Sequence, residues 1–281
     1  MRVFTATRRR SRDAGRRAPH DGAGGVPVIL MAPAAIGLAF LVLPLAGLLA
    51  RAPWQTLAAR LAEPRVMEAL RLSLVTSTAA TAACLLTGVP LAWLLARVAF
   101  RGRRVVRALV TVPLVLPPVV GGLALLLALG RGGLVGAWLD STLGLALPFT
   151  TAAVVLAEAF VAMPFLVVSV EGALRSTDAR FEEAAAILGA SRWTVFRRVT
   201  LPLMAPGIAA GAVLCWARAL GEFGATVTFA GSLPGRTQTM PLAVYRALES
   251  DPEAAMALSL VLLLVCVAVL ACLRGRWVNV A

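Results

Sequence analysis

EGALRSTDARFEEAAAILGASRWTVFRRVTLP, residues Glu171 to Pro202, is the longest of the arginine-bearing connections between the apolar runs of this chain, and it carries helical order of its own. Thr177 or Asp178 can cap a first helix. Phe181, Ala184, Ala185 and Leu188 then recur at i, i+3, i+4 and i+7, a single apolar stripe. The opposite face holds Glu182, Glu183 and Ala186, a carboxylate pair beside small side chains that another protein surface could approach closely. Gly189 ends the helix as a left-handed cap would. Ser191 can cap a second helix, on which Trp193, Phe196 and Thr200 share a face while Arg192, Arg197 and Arg198 spread over the rest, until Leu201-Pro202 hands the chain to the next apolar run. Physics alone allows two readings: a helix pair lying on a membrane surface, or a docking loop.

The flanking sequence settles the solvent. Of 281 residues 59% are apolar and 15% charged, with mean hydropathy +0.85; a soluble domain carries about 25% charge. About 20 apolar helical residues cross a bilayer, and six runs qualify: Val28 to Ala50, Leu72 to Ala96, Ala108 to Gly130, Phe149 to Val170, Leu203 to Ala230 and Ala254 to Leu273. The first is too long for the apolar core of a signal peptide. The expected class is therefore an all-α membrane protein with six transmembrane helices in one domain, residues 28–273. An arginine-rich tail, residues 1–27, precedes it and a short C-terminus, residues 274–281, follows.

Orientation follows from arginine. The tail carries seven, the connection after the second run five (Arg97, Arg101, Arg103, Arg104, Arg107), Glu171 to Pro202 another five and the C-terminus two; the alternate connections together carry seven. Positive loops stay inside, so both termini are expected to be cytoplasmic. The net charge of +13 is spread among loops without the interleaved aromatics of a nucleic-acid platform. Topology and anionic lipid head groups account for it, and no nucleic-acid partner is expected.

What is missing excludes chemistry. The chain has no lysine and one histidine, His20, in the tail. A phosphate-cradling loop needs its lysine, and a histidine-based triad or metal centre needs imidazoles. Cys84, Cys215, Cys266 and Cys272 lie in apolar runs without CxxC spacing and read as small hydrophobes. The chain is expected to catalyse nothing, to bind no metal or cofactor, and to draw any ATP-derived work, with its Mg, from a partner.

The spacing Glu183-Ala184-Ala185, three residues, Gly189, nine residues, Val199-Thr200-Leu201-Pro202 resembles the EAA loop of ABC-importer permeases, departing from it in Val199. The resemblance implies the type I importer fold and a coupling helix seated in a cytoplasmic ATPase subunit, with Glu182, Glu183, Ala184, Ala185, Gly189, Leu201 and Pro202 as coupling residues. The stretch from Ala217 to Thr226, the stretch from Gly235 to Tyr245, and Leu116 to Gly122 look like the permeases of molybdate importers, with sulfate/thiosulfate and tungstate permeases close behind. That likeness implies a homodimer with two ATPase subunits, fed by an extracytoplasmic molybdate-binding protein, in a bacterial or archaeal cytoplasmic membrane.

Within the runs, Arg218 and Glu222 stand at i and i+4 and should pair. Charges inside a span are costly and tend to mark pathways, so the pair either lines the anion route or ties helices together. Pro117, Pro118 and Gly121 mark the third run as a broken helix beside that route. Glu158 has no charged neighbour on its own helix; it is protonated, reaches another helix or faces water. The competing class is a proton-coupled secondary transporter using Glu158 or Glu222.

Overall fold

The computed structural model describes residues 28–178 and 180–277; the arginine-rich tail with His20 lies outside them, as does the extreme C-terminus. The described residues form helices and no strands. α1 (Val28–Arg51), with Pro33 and Pro44 inside it, falls mostly in a unit that ends at Gly47. The second unit, from Leu48 on, is a bundle.

Its order is α2 (Leu57–Leu61), α3 (Pro64–Arg97), α4 (Arg103–Val115), α5 (Pro118–Leu129), α6 (Gly136–Leu143), α7 (Thr151–Ser176), α8 (Arg180–Ile187), α9 (Arg192–Val195), a π-turn (Phe196–Thr200), α10 (Leu201–Leu220), α11 (Gly224–Phe229), α12 (Met240–Ser250) and α13 (Pro252–Trp277). Five helices, α1, α3, α7, α9 through α10, and α13, are long and apolar enough to cross a membrane. The bent pair α4 and α5 makes a sixth span if taken as one. Their axes turn by 120° at Leu116-Pro117, where Pro117 and Pro118 supply no N–H to continue the helix. The expected break in the third run is thus present.

α7 is the central post. It packs against α3 and α10 along its length, burying Cys84, Leu95, Leu166, Val170, Leu174, Met204 and Cys215 in one core. Small residues let these helices approach, as they do inside membranes, where packing replaces the hydrophobic drive. A second core joins α7 to α11 through Val154, Ala157, Val161, Ala225 and Phe229.

The fifth run departs from expectation. A single span to Ala230 is not formed: α10 stops at Leu220, Gly221 to Phe223 leave the helix, and the short α11 follows. Glu222 is the cause. Its Oε1 accepts the N–H of Ala225 at 2.8 Å, so the carboxylate satisfies the start of α11 instead of continuing α10.

α11 lies against α5 so closely that a Cβ on Gly122 would sit 2.6 Å from the carbonyl oxygen of Ala225. No side chain fits there without moving backbone. Gly122→Val is expected to force α5 off α11 and to cost about 1–3 kcal/mol or more, read as a lowered thermal midpoint of the detergent-solubilised chain. An unchanged midpoint would refute the close packing.

At the end of the bundle opposite the arginine-rich loops, Arg60 bonds Asp251 at 2.6 Å and Glu253 at 3.1 Å, tying α2 to the start of α13. The Arg60 guanidinium holds the Asp251 carboxyl below the usual carboxylate range. A depressed folded value means that the tie holds throughout neutral pH and weakens only as pH falls below about 4. Asp251→Asn should therefore lower the thermal midpoint slightly at neutral pH, and the difference from the parent should shrink as the pH is taken below the usual carboxylate range and the Asp251 carboxylate is lost.

Candidate functional site: the coupling loop and the ion pair of α10

The loop from Glu171 to Pro202 folds as two short helices, as its pattern requires. Asp178 Oδ1 accepts the N–H of Arg180 at 3.0 Å. Gly189 has φ +83° and ends α8. Ser191 Oγ accepts the N–H of Thr194 at 3.2 Å and starts α9. Beyond α9 the chain widens into the π-turn and runs directly into α10, so Leu201 and Pro202 form the first turn of a span.

The faces of α8 are not those expected. Glu182 turns inward: its Oε1 accepts from Arg97 Nε at 3.2 Å and from Thr200 Oγ1 at 3.1 Å. Arg97 also donates to the carbonyl of Thr177. One carboxylate therefore clamps α8 to the end of α3 and to the π-turn. Glu183 is exposed and makes no hydrogen bond or ion pair among the described residues, and Ala184 is exposed beside it. The expected apolar stripe is not folded against the bundle either. Phe181 is 59% and Leu188 87% exposed, with Ile187 at 86%. A clamp on one side and bare apolar side chains on the other make α8 a rigid, uncovered knob.

Behind the knob, Glu171 is nearly buried and joins two arginines: Arg107 on α4, which donates through Nε and Nη2, and Arg175 on its own helix at 2.9 Å. Arg107 also donates to the carbonyl of Leu95. α3, α4 and α7 are thus tied at the level of the loop. Periodicity did not reveal this network, because its partners come from three elements; the lone carboxylate ending a span was the available signal.

In the other half of the bundle Arg218 pairs with Glu222, which is 1% exposed. The expected pair forms, although Glu222 lies past the end of α10 and not on one continuous helix face. Glu158 reaches across to α3, where Thr76 Oγ1 donates to it at 2.9 Å. Among the described residues its second oxygen has no hydrogen-bond partner, and neither do the hydroxyls of Thr226 and Thr239. Gly121 is buried beneath the ring of Phe160. Pro117 and Pro118 start α5, and Gly224 at the start of α11 lies against Pro118. The structure therefore gathers Pro117, Pro118 and Gly121 beside the turn that holds Glu222, while α8, Gly189 and the Leu201-Pro202 turn lie at the other end.

This is the architecture of a membrane transporter's spanning subunit, an all-helical multi-pass bundle with a loop exposed at one end. Residues 88–278 match the family described as binding-protein-dependent transport system inner membrane component, and the chain belongs to that family. It is 51% identical over 233 residues to the molybdenum transport system permease protein ModB of Mycobacterium tuberculosis, covering 83% of this chain and 88% of that one. Against ModB of Escherichia coli the identity is 40% over 210 residues, covering 75% and 92%. The sulfate transport system permease protein CysW of Escherichia coli is also 40% identical, over 191 residues that cover 68% of this chain and 65% of that one. Among solved structures, a bacterial ABC transporter involved in alginate import superposes with TM-score 0.71 at 19% identity, over 89% of this chain and 93% of that one. The fold is that of an ABC-importer permease.

Proposed function

We propose that the chain is the translocation subunit of an ATP-driven molybdate importer of a bacterial or archaeal cytoplasmic membrane. It acts as a homodimer with two cytoplasmic ATPase subunits and an extracytoplasmic molybdate-binding protein, and both its termini face the cytoplasm. The observation that carries this reading is the uncovered knob of α8, clamped from behind by Glu182 and presenting Phe181, Ile187 and Leu188 to a partner. Two molybdenum permeases at 40% and 51% identity support the substrate.

The chain itself hydrolyses nothing; without lysine it has no P-loop, and the nucleotide and its Mg belong to the partner. Closure of the two ATPases would draw both knobs together. Because Glu182, Arg97 and Glu171 make α8 move with α3, α4 and α7, that displacement is passed to the spans as a rocking of whole helices, and release of the ATPases lets them return. Passage demands weak binding, so substrate selection falls to the external protein. Arg218 offers the oxyanion a transient positive field, and Glu222 keeps that field from becoming a trap.

The test is to co-purify the chain with its ATPase and compare hydrolysis stimulated by binding proteins loaded with molybdate, tungstate or sulfate. Molybdate is expected to stimulate most. Stimulation by sulfate alone would replace the substrate with that of the runner-up, which the likeness to CysW favours. Uptake that collapses with the proton gradient and ignores ATP would return Glu158 and Glu222 to the role of proton carriers.

A further inference from the structure

Between the last turns of α3 and the inner side of α8 and α9 lies an open hollow of about 580 Å³, within the range of about 300–1,000 Å³ common for small-ligand sites. Its walls are chiefly apolar: Pro90, Trp93, Val98, Val195, Phe196 and Trp193. The three rings form a continuous surface, Trp93 meeting Phe196 edge-on at 6.0 Å and Trp193 stacking on Phe196 at 5.8 Å. Four polar side chains also line it: Arg97, Glu182, Thr200 and Arg192. The first three are spent on one another. Arg192 makes no ion pair or hydrogen bond among the described residues, and the same holds for Arg197 and Arg198, which follow Phe196 in the chain.

We propose that this hollow is a binding site for one anionic phospholipid, its acyl chain on the Trp93–Phe196–Trp193 surface and its phosphate at Arg192. The chemistry asks for an amphiphile, with a long apolar wall and one unmatched cation at its edge. The place fits too. Pro90 and Trp93 belong to a membrane-spanning helix that ends four residues later in Arg97, the level at which hydrocarbon gives way to head groups and where tryptophan concentrates. Basic pockets between spanning helices are the recurring form of such sites. A segment of a soluble partner is the poorer occupant, because the bare residues of α8, Phe181, Ile187 and Leu188, do not line the hollow. The inference is independent of the proposed substrate. Its consequence is mechanical: a lipid seated against Glu182, Ala186 and Ala190 braces the knob from the membrane side.

The experiment uses the full chain with Trp54, Trp138, Trp216 and Trp277 replaced by phenylalanine, leaving Trp93 and Trp193 as reporters. It is reconstituted in phosphatidylcholine–phosphatidylglycerol vesicles in which one lipid carries brominated acyl chains, which quench tryptophan on contact. Brominated phosphatidylglycerol should be preferred about fivefold at equal mole fraction, the preference one surface arginine supplies. R192Q should bring that ratio close to one without removing quenching by brominated phosphatidylcholine, and R192K should keep it. Equal quenching by both lipids in the parent chain would reduce the hollow to ordinary boundary lipid and overturn the proposal. Loss of all quenching when the ATPase binds would overturn it as well, assigning the hollow to that protein. If the four-phenylalanine background does not fold, native mass spectrometry of the unaltered chain gives the same answer. A retained phosphatidylglycerol adduct that R192Q loses supports the site, and equal adducts in both refute it.

Discussion

Glu222→Leu is expected to remove most of the folded chain from the membrane, whereas the double replacement R218M/E222L should fold and yet fail to transport. The single change strips a nearly buried carboxylate from two partners at once. Arg218 is left without its counter-charge and the N–H of Ala225 without its acceptor. Breaking one side of a buried pair costs about 3–5 kcal/mol, and a freed backbone donor inside a bilayer has no water to turn to. Removing both charges cancels the first penalty but not the second, so the double variant should be recovered in detergent at a yield well above that of the single variant and below that of the parent. Uptake of labelled molybdate into proteoliposomes containing the ATPase and binding protein then separates the two roles of the pair. Parental uptake by the double variant would confine Arg218 and Glu222 to holding α10 against α11; loss of uptake in a folded transporter would place them on the anion route.

The second large effect belongs to the knob. Leu188→Glu alters a side chain that is 87% exposed and touches nothing the bundle needs, so the chain should insert and fold as before. Its expected cost falls on the ATPase interface, where an apolar anchor is commonly worth more than 1 kcal/mol. Burying a carboxylate in its place should weaken co-purification of the ATPase about tenfold, by 1.4 kcal/mol or more. Gly189→Val should act differently. At φ +83° a β-branched residue is strained by about 1–3 kcal/mol, so the end of α8 should re-form in another geometry. ATPase would still bind, but stimulation by loaded binding protein should fall to the basal rate. If both variants stimulate normally, α8 is not the coupling element.

The spans and the two-helix loop were legible because each is written in local terms. Apolar length marks a span, Asp178 and Ser191 mark helix starts, and Gly189 marks a stop; the structure realises all three kinds of signal. Pro117-Pro118 announced the break between α4 and α5 for the same reason, since a missing N–H acts on its own turn. The short helices α2, α6 and α12 escaped the sequence reading because they lie outside the apolar runs and too few residues separate them from turns.

The faces of α8 were misread for a different reason. Periodicity tells which residues share a side but not which side meets the bundle, and it assumes that the apolar side does. Here the inward side carries Glu182, because Arg97 and Thr200, 85 and 18 residues distant, converge to receive it. The break at Gly221 to Phe223 was hidden in the same way: hydropathy runs on through it, whereas the carboxylate of Glu222 on the N–H of Ala225 and the close approach of α5 to Ala225 set the start and the seat of α11.

The membrane class, the apolar runs, the absence of lysine-based chemistry and the position of the two-helix loop come from composition and short-range pattern, which act within a turn or two of helix. Which carboxylate clamps and which stays free, where the fifth span ends, and that Arg192 faces an aromatic hollow are decided by helices far apart in the chain. Those outcomes depend on a few charge pairs that join α3 to α8, α4 to α7, and α10 to the turn holding Glu222, and a charge left unpaired at the edge of or inside a bilayer is costly.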